Sequence, residues 1–540
     1  MPRWVKWLLG AIGALAVLVV IAAALLPRIV DTPRIQAYIA TSAAQSLGRP
    51  VKFSAVTLRV LPLPAIELHD LEVADDPRFG TAPFLRLQTG RVRLKLVPLL
   101  SGRVELGDIV LKKPVITLIQ AADGRLNIST LGASAEPRAA PRPGRPGSGP
   151  AAAGAAAITR VLVDEGLVTY VAQGRGESPA QYRLSDLDLT LAGGATQIAF
   201  KGRAKLQPGG IGVTLSDGVI GMGNARSLSE ASLGGRVGID GSDVAPLAAV
   251  AVGSTPAIGG AVKGTLALGG TVGAPTAAGE VTMSPLSVTE VQAHCPEPKR
   301  RTLTIPTVKL NAAWQHPRLT GKPLTATLGG TVTAQLTATL DRGVRVELAD
   351  LAIKALPLEK VLVDYLCQGY AITGPLDLTG ALAFEGRDVV NTLSGPGRLH
   401  VGRGKVVGQQ ALALIGSVVR VGGAISSILA ADLPPTVFDS PLDFESITGT
   451  YTLANGVATT RDLLYTSRAL KVSIAGDYGL ATGRMDLDMI VHHGRGELQA
   501  KVTGTTASPS IRVSPSTVLR DLDRDKTEKG LKDLLKRFGR

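Results

Sequence analysis

Large aromatic side chains are scarce in this chain: Phe, Tyr and Trp together make up 4% of 540 residues. Rings usually dominate the burial energy of globular cores, so a thick core of that kind is excluded. The apolar content falls instead to Leu, Val, Ile and Ala, which with 63 glycines suit a thin, repetitive sheet. Cysteine is nearly absent. Cys295 and Cys367 are the only two, and without His partners at ligand spacing they make no zinc site. An oxidising compartment would let them pair, the alternative being two separate thiols.

Signatures of catalysis are missing too. The six histidines, His69, His294, His316, His400, His492 and His493, include no pair at the i,i+4 spacing that puts two ligands on one helix face. His492 and His493 are adjacent, and on a strand they point to opposite faces. There is no Gly-x-Ser-x-Gly nucleophile elbow and no phosphate loop ending in Gly-Lys-Ser/Thr. Gly218-Val-Ile-Gly221-Met-Gly223 lacks the order of a dinucleotide fingerprint and reads as a turn. Carboxylates are numerous but are expected on exposed strand faces and turns, with no two singled out as acid and base. No enzyme activity, cofactor or metal is expected.

Charge is unbalanced, with 58 Lys and Arg against 44 Asp and Glu for a formal +14. The basic residues are scattered with few aromatics to stack on bases, so no nucleic-acid partner is expected. A basic surface suits anionic lipid headgroups, a generic solvated surface being the plainer alternative.

One long apolar run is present. Trp7 to Leu26 carries no charge, with Arg3 and Lys6 before it and Arg28 after it. Twenty residues span about 30 Å as a helix, the thickness of a bilayer core. The basic flank would stay cytoplasmic, giving a single-pass membrane protein with its bulk outside the cytoplasm. Ala22-Ala23-Ala24 would also satisfy a signal-peptide cleavage site, but Leu25 and Leu26 extend the run beyond a usual h-region.

Period-two patterning then recurs in segment after segment. Val92, Leu94 and Leu96 alternate with Arg91, Arg93 and Lys95. Val344, Val346 and Leu348 alternate with Arg345 and Glu347, and Met485, Leu487 and Met489 with Asp486 and Asp488. Asp123-Gly124, Asp341-Arg342-Gly343 and Asn455-Gly456 sit where hairpins would reverse. Pro33 to Leu47 reads as a short amphipathic helix stopped by Gly48-Arg49-Pro50. In order, the expected parts are a cytoplasmic N-terminus (1–6), a transmembrane anchor (7–26), an N-terminal β module (27–132) and an Ala/Pro/Gly linker (133–157). A middle β region (158–353) follows, its Gly-rich strands around 193 to 280 expected to be short or twisted. Last come a C-terminal β module (354–514) with helices at 357–367 and 409–431, and a charged amphipathic helix (515–540). The fold class is mainly β and largely antiparallel, with few helices. A sheet with one continuous apolar face must hide it against itself, a partner or a lipid.

Several stretches resemble the AsmA family of bacterial envelope proteins. At the start they are the anchor, Leu47-Gly48-Arg49-Pro50-Val51, Ile66 to Val73, Phe84, Arg91-Val92, Pro114-Val115-Ile116 and Gly124-Arg125-Leu126-Asn127. Towards the end they are Ile372 to Leu376, Leu393 to Gly397, Arg461-Asp462-Leu463-Leu464 and Gly504 to Ser510. The resemblance implies an inner-membrane tether and an elongated sheet rolled into an open hydrophobic groove, related to TamB and chorein-type lipid-transfer proteins. It implies phospholipid as the ligand, moved between inner and outer membranes in support of outer-membrane lipid homeostasis. An outer-membrane or periplasmic protein is the further partner that reading admits. Candidate groove residues are Val92, Leu94, Leu96, Val115, Val344, Val346, Leu348, Met485, Leu487 and Met489. The competing expectation is a non-transporting periplasmic scaffold for outer-membrane protein assembly.

Overall fold

A computed structural model of the chain describes residues 33–59, 65–94, 106–121, 125–131, 160–173, 180–194, 196–223, 225, 227–293, 295–340, 343–386, 388–408, 410–411, 443–468, 471–493 and 496–513. The anchor 7–26, the linker 133–157, Leu96, Asp123-Gly124, most of 409–431 and the tail 515–540 lie outside them. Among the described residues, no helix is long and apolar enough to cross a membrane. The fold is mainly β, with 26 strands in one largely antiparallel sheet. The chain divides into two compact units.

In the first unit, strand Ala65–Val73 pairs on one side with Val51–Lys52 and Ala55–Arg59 and on the other with Leu85–Leu94. Leu106–Lys112 and Val115–Gln120 follow one another along Leu85–Leu94, and both run parallel to Arg160–Ala172. A simple meander then continues through Ala180–Gly193, Gln197–Gln207, Ile211–Gly221, Ser232–Gly241 and Ala257–Gly270. The glycine-rich stretch is therefore not built of short strands as its composition suggests. Its strands run 10 to 17 residues, and at Gly218 the Phe200 ring occupies the place where a Cβ would stand. Gly218 to Gly221 accordingly sit in a strand, and only Met222-Gly223 turns.

In the second unit, residues 286–291 pair with Arg300–Ile305. From Arg318 to Val513 each strand adds antiparallel to the one before, apart from the excursions at 358–374 and 402–445. The hairpin expected at Asn455-Gly456 forms with φ of 49° and 74°, the geometry of a two-residue primed turn. Where a helix over 357–367 was expected, strand Arg345–Pro357 runs on and only a π-helical turn, Glu359–Tyr365, follows. Cys295 and Cys367 are joined in a disulfide across 72 residues, tying the loop after Val291 to the end of that turn. Leu358, Val401, Val406, Ala411 and Phe444 pack together beside it.

A recurring device shapes both units. At Glu165, Asp186, Asp217, Asp350 and Ala355 a non-glycine residue takes φ near 50° and the register slips by one. Each is a β-bulge, which bends its strand and raises its twist. The next residue is buried in every case: Gly166, Leu187, Gly218, Leu351 and Leu356. Where the bulged residue is acidic its carboxylate meets a neighbouring segment, Glu165 reaching Lys113 in the bend before Val115–Gln120 at 3.2 Å, Asp186 reaching Lys205 at 3.1 Å and Asp217 reaching Arg236 at 3.6 Å. Asp350 accepts from Gln335 Nε2 at 2.6 Å.

Candidate functional site

Because opposite residues in a ladder project to the same face, the registers show what each face presents. In the first unit one cross-strand row reads Val56, Leu68, Gly90, Leu111, Val163, Leu189, Gly202, Leu215, Val237, Leu266. Ten strands contribute, and none brings a polar side chain. Beside it runs Ile66, Val92, Ile109, Val161, Leu191, Phe200, Gly218. In the second unit the row Leu356, Leu376, Val401, Ile447, Tyr465, Val472, Val491, Leu498 crosses eight strands. Tyr465 adds a ring tilted against Phe444, centroids 5.7 Å apart. Burial pushes the phenols of Tyr451, Tyr465 and Tyr478 above the usual tyrosine range.

The opposite face is charged. Arg203 meets Asp188 at 2.8 Å and Lys263 meets Asp240 at 3.8 Å in the first unit. In the second, Lys501 lies 3.0 Å from Asp486 and 3.4 Å from Asp488, and hydrogen bonds to these carboxylates raise its pKa. An open depression is lined there by Asp377, Thr379, Arg398, His400 and Asp462 together with Leu378, Leu399 and Leu464. Among the described residues no group of three or more His, Cys, Asp or Glu could hold a metal ion.

Among the described residues the apolar rows are partly exposed: Leu68, Leu111, Leu189, Leu215, Val237, Leu266 and Val491 are half-buried, while Val56, Val163, Leu356, Val401 and Val472 are buried. In the second unit Val401 belongs to the cluster with Phe444, and Leu376, Ile447 and Tyr465 pack against it. Among the described residues each strand packs mainly against its sheet neighbours. Soluble proteins rarely leave so much contiguous apolar surface without a ligand or partner.

The sequence candidates fall on this face unevenly. Val92 lies between Ile66 and Ile109. Val346 stands between Ala338 and Phe384, and Leu348 between Leu336 and Leu382. Met485 pairs with Tyr478, Leu487 with Val502 and Met489 with Ile474, all in apolar rows. Leu94 is in register with Leu106, and Val344 sits half-buried just before its strand. Val115 does not join them. It pairs with Arg86, itself opposite Glu72, and is 37% exposed on the charged side. Lys113, at φ 50° before Pro114, resets the alternation there and leaves Ile116 opposite Leu85.

Sequence reasoning missed a buried polar cluster at the first corner of the sheet. Helix Pro33–Leu47 ends with Gly48 at φ 69°, and Arg49 N–H donates to Ala44 O at 3.2 Å, a Schellman closure. The Arg49 side chain is thereby delivered inward, only 3% exposed. Its Nη1 donates to Asp75 Oδ1 at 2.8 Å and its Nη2 to Asn127 O at 2.5 Å, while the guanidinium lies 5.3 Å from the Phe84 ring centre. Asn127, fully buried, donates to Asp75 Oδ2 at 2.6 Å and Thr117 O at 2.9 Å and accepts from Ile119 N at 3.1 Å. Nearby, buried Glu67 accepts from Arg91 at 2.7 Å. Carboxylates are thus not confined to exposed faces and turns. The available signal was that Arg49, Phe84 and Asn127 all fall in the stretches carrying the family resemblance.

In each unit the sheet carries one largely apolar face and one ion-paired face, and in the first unit a helix is tied to its first corner, which defines a β-protein organised around apolar cross-strand rows. Residues 1–228 match the model of the AsmA family, so this part of the chain is similar to that family. No curated protein and no solved structure matches the chain.

Proposed function

We propose that this protein shelters and moves phospholipid in the bacterial envelope, its acyl chains lying on the apolar rows while headgroups stay in water. The observation that carries this reading is the row from Val56 to Leu266, apolar or glycine across ten strands. Each acyl CH₂ held there is worth about 0.8 kcal/mol over exposure to water. Successive strands offer the same chemistry, so a lipid shifting by one strand exchanges like for like. No catalytic residue is needed. The bulges are compatible with the reading, since each bends its strand and raises its twist, as a curved sheet requires. The Cys295–Cys367 bond supports an oxidising compartment, as expected of a chain anchored in the inner membrane with its bulk in the periplasm.

The test is photocrosslinking in living cells with a photoreactive amino acid at Val346 or Leu487, each paired with the adjacent opposite-face position, Glu347 or Asp488. Phospholipid adducts at the first two and not at their neighbours are expected. Protein adducts without lipid at Val346 and Leu487 would replace this reading with the scaffold for outer-membrane protein assembly.

A further inference from the structure

The cluster around Arg49 asks for a purpose beyond stability. A buried ion pair gains little over well-packed apolar residues of similar volume, since the desolvation of both charges offsets their attraction. What it adds is direction: a planar guanidinium gripping Asp75 and Asn127 while stacked on Phe84 has one permitted orientation. The helix itself could end on Gly48 alone. Instead the residue after its cap is driven into the corner where the loop at Asp75, strand Val115–Gln120 and the turn at Asn127 meet. That corner adjoins the end of strand Ala65–Val73 where Val73 faces Val51 and Leu85, and both apolar rows of the first unit cross this same strand, at Ile66 and Leu68.

We propose that Arg49 is a positioning residue: it holds helix Pro33–Leu47 at a fixed angle to the first strands, so that lipid leaving the bilayer meets the start of the apolar rows. The inference rests on the lipid reading above and adds a place of entry to it. It predicts that the Arg49 cluster matters when the lipid must come from a bilayer, and not when lipid is offered from micelles, where the angle to a membrane has no meaning.

The experiment uses the full chain with a photoreactive residue at Val92, presented with radiolabelled phosphatidylethanolamine in two ways: in mixed detergent micelles and in reconstituted vesicles. The principal variant combines Arg49→Met with Asp75→Leu, which removes both charges together and leaves neither buried alone. Its folding is checked by far-UV circular dichroism and thermal melting. A second variant, Phe84→Leu, removes the stacking platform but keeps the ion pair, and serves if the first does not fold. Wild type should crosslink in both settings. The variant is expected to match it in micelles and to fall at least fivefold in vesicles, with Phe84→Leu intermediate. Equal crosslinking of variant and wild type in vesicles would overturn the proposal. So would an equal loss in both settings, which would make the cluster structural only. A wild type that crosslinks in neither setting would remove the lipid reading itself, and this inference with it.

Discussion

Thr450 donates twice to one oxygen of Asp462, its backbone N–H and its hydroxyl each lying 2.8 Å from Oδ1. These hydrogen bonds, the backbone one foremost, hold the Asp462 carboxyl below the usual carboxylate range, with the Arg398 charge a smaller contribution. A depressed folded pKa means that the stabilisation is present above the unfolded value of about 3.9 and is lost as pH falls through the lower folded value. Asp462→Asn keeps the shape and removes the titration. Urea midpoints of variant and wild type should therefore converge as pH drops from 6 to 3. A gap that stays constant over that range would show that the carboxylate's charge is not what Thr450 holds.

The Cys295–Cys367 bond closes a loop of 72 residues. Chain-entropy reasoning gives such a crosslink about 4 kcal/mol through the unfolded state. Replacing both cysteines with alanine should lower the thermal transition of the second unit. It should spare signals from the first, whose strands lie outside the loop. Mass spectrometry of the purified full chain with and without reductant should show the two-hydrogen difference of a closed bond.

Alternation of apolar and charged residues made the sheet and its antiparallel sense legible, since Val346-Glu347-Leu348 or Met485-Asp486-Leu487 can bury only one face. It failed at Val115, where a kink at Lys113-Pro114 moves the residue to the other face. Kinks of this sort break the count of two, and nothing in a local window marks them. The bulges were nonetheless written in the chain: Ser185-Asp186-Leu187, Ser216-Asp217-Gly218 and Ala349-Asp350-Leu351 repeat an acidic residue before a buried one. Aspartate tolerates the left-handed region better than other side chains, so the triplet has a physical meaning that a scan for turns overlooks. The Arg49 cluster was not legible because its members are 26 and 78 residues apart, and only the fold brings them together.

The bulge residues give a sharp test of backbone strain. Asp186 sits at φ 51°, where glycine is free and a β-branched side chain is strained. Asp186→Val should cost about 1–3 kcal/mol. Asp186→Gly should be near neutral, because the exposed ion pair with Lys205 is worth at most about 1 kcal/mol. Urea titration of the three proteins should rank Gly and Asp together and Val below them. The same order at Asp217 would show that the effect belongs to the bulge rather than to one site.

Adjacent residues on opposite faces allow the apolar surface to be charged with a matched control. Val237 is half-buried between Leu215 and Leu266, while Arg236 projects from the other face, 3.6 Å from Asp217. A carboxylate at 237 must either stay hydrated and exclude an acyl chain or be desolvated by it, and either costs binding. Val237→Glu should lower the phospholipid that co-purifies with the full chain by about tenfold, equivalent to roughly 1.4 kcal/mol. Arg236→Glu, with the larger change in net charge, should leave it unchanged. Quantitative lipid mass spectrometry after gentle extraction reads both, with melting curves confirming that each variant is folded. A fall in both would point to headgroup attraction by the basic surface. A fall confined to Val237→Glu would place the acyl chains on the row that runs from Val56 to Leu266.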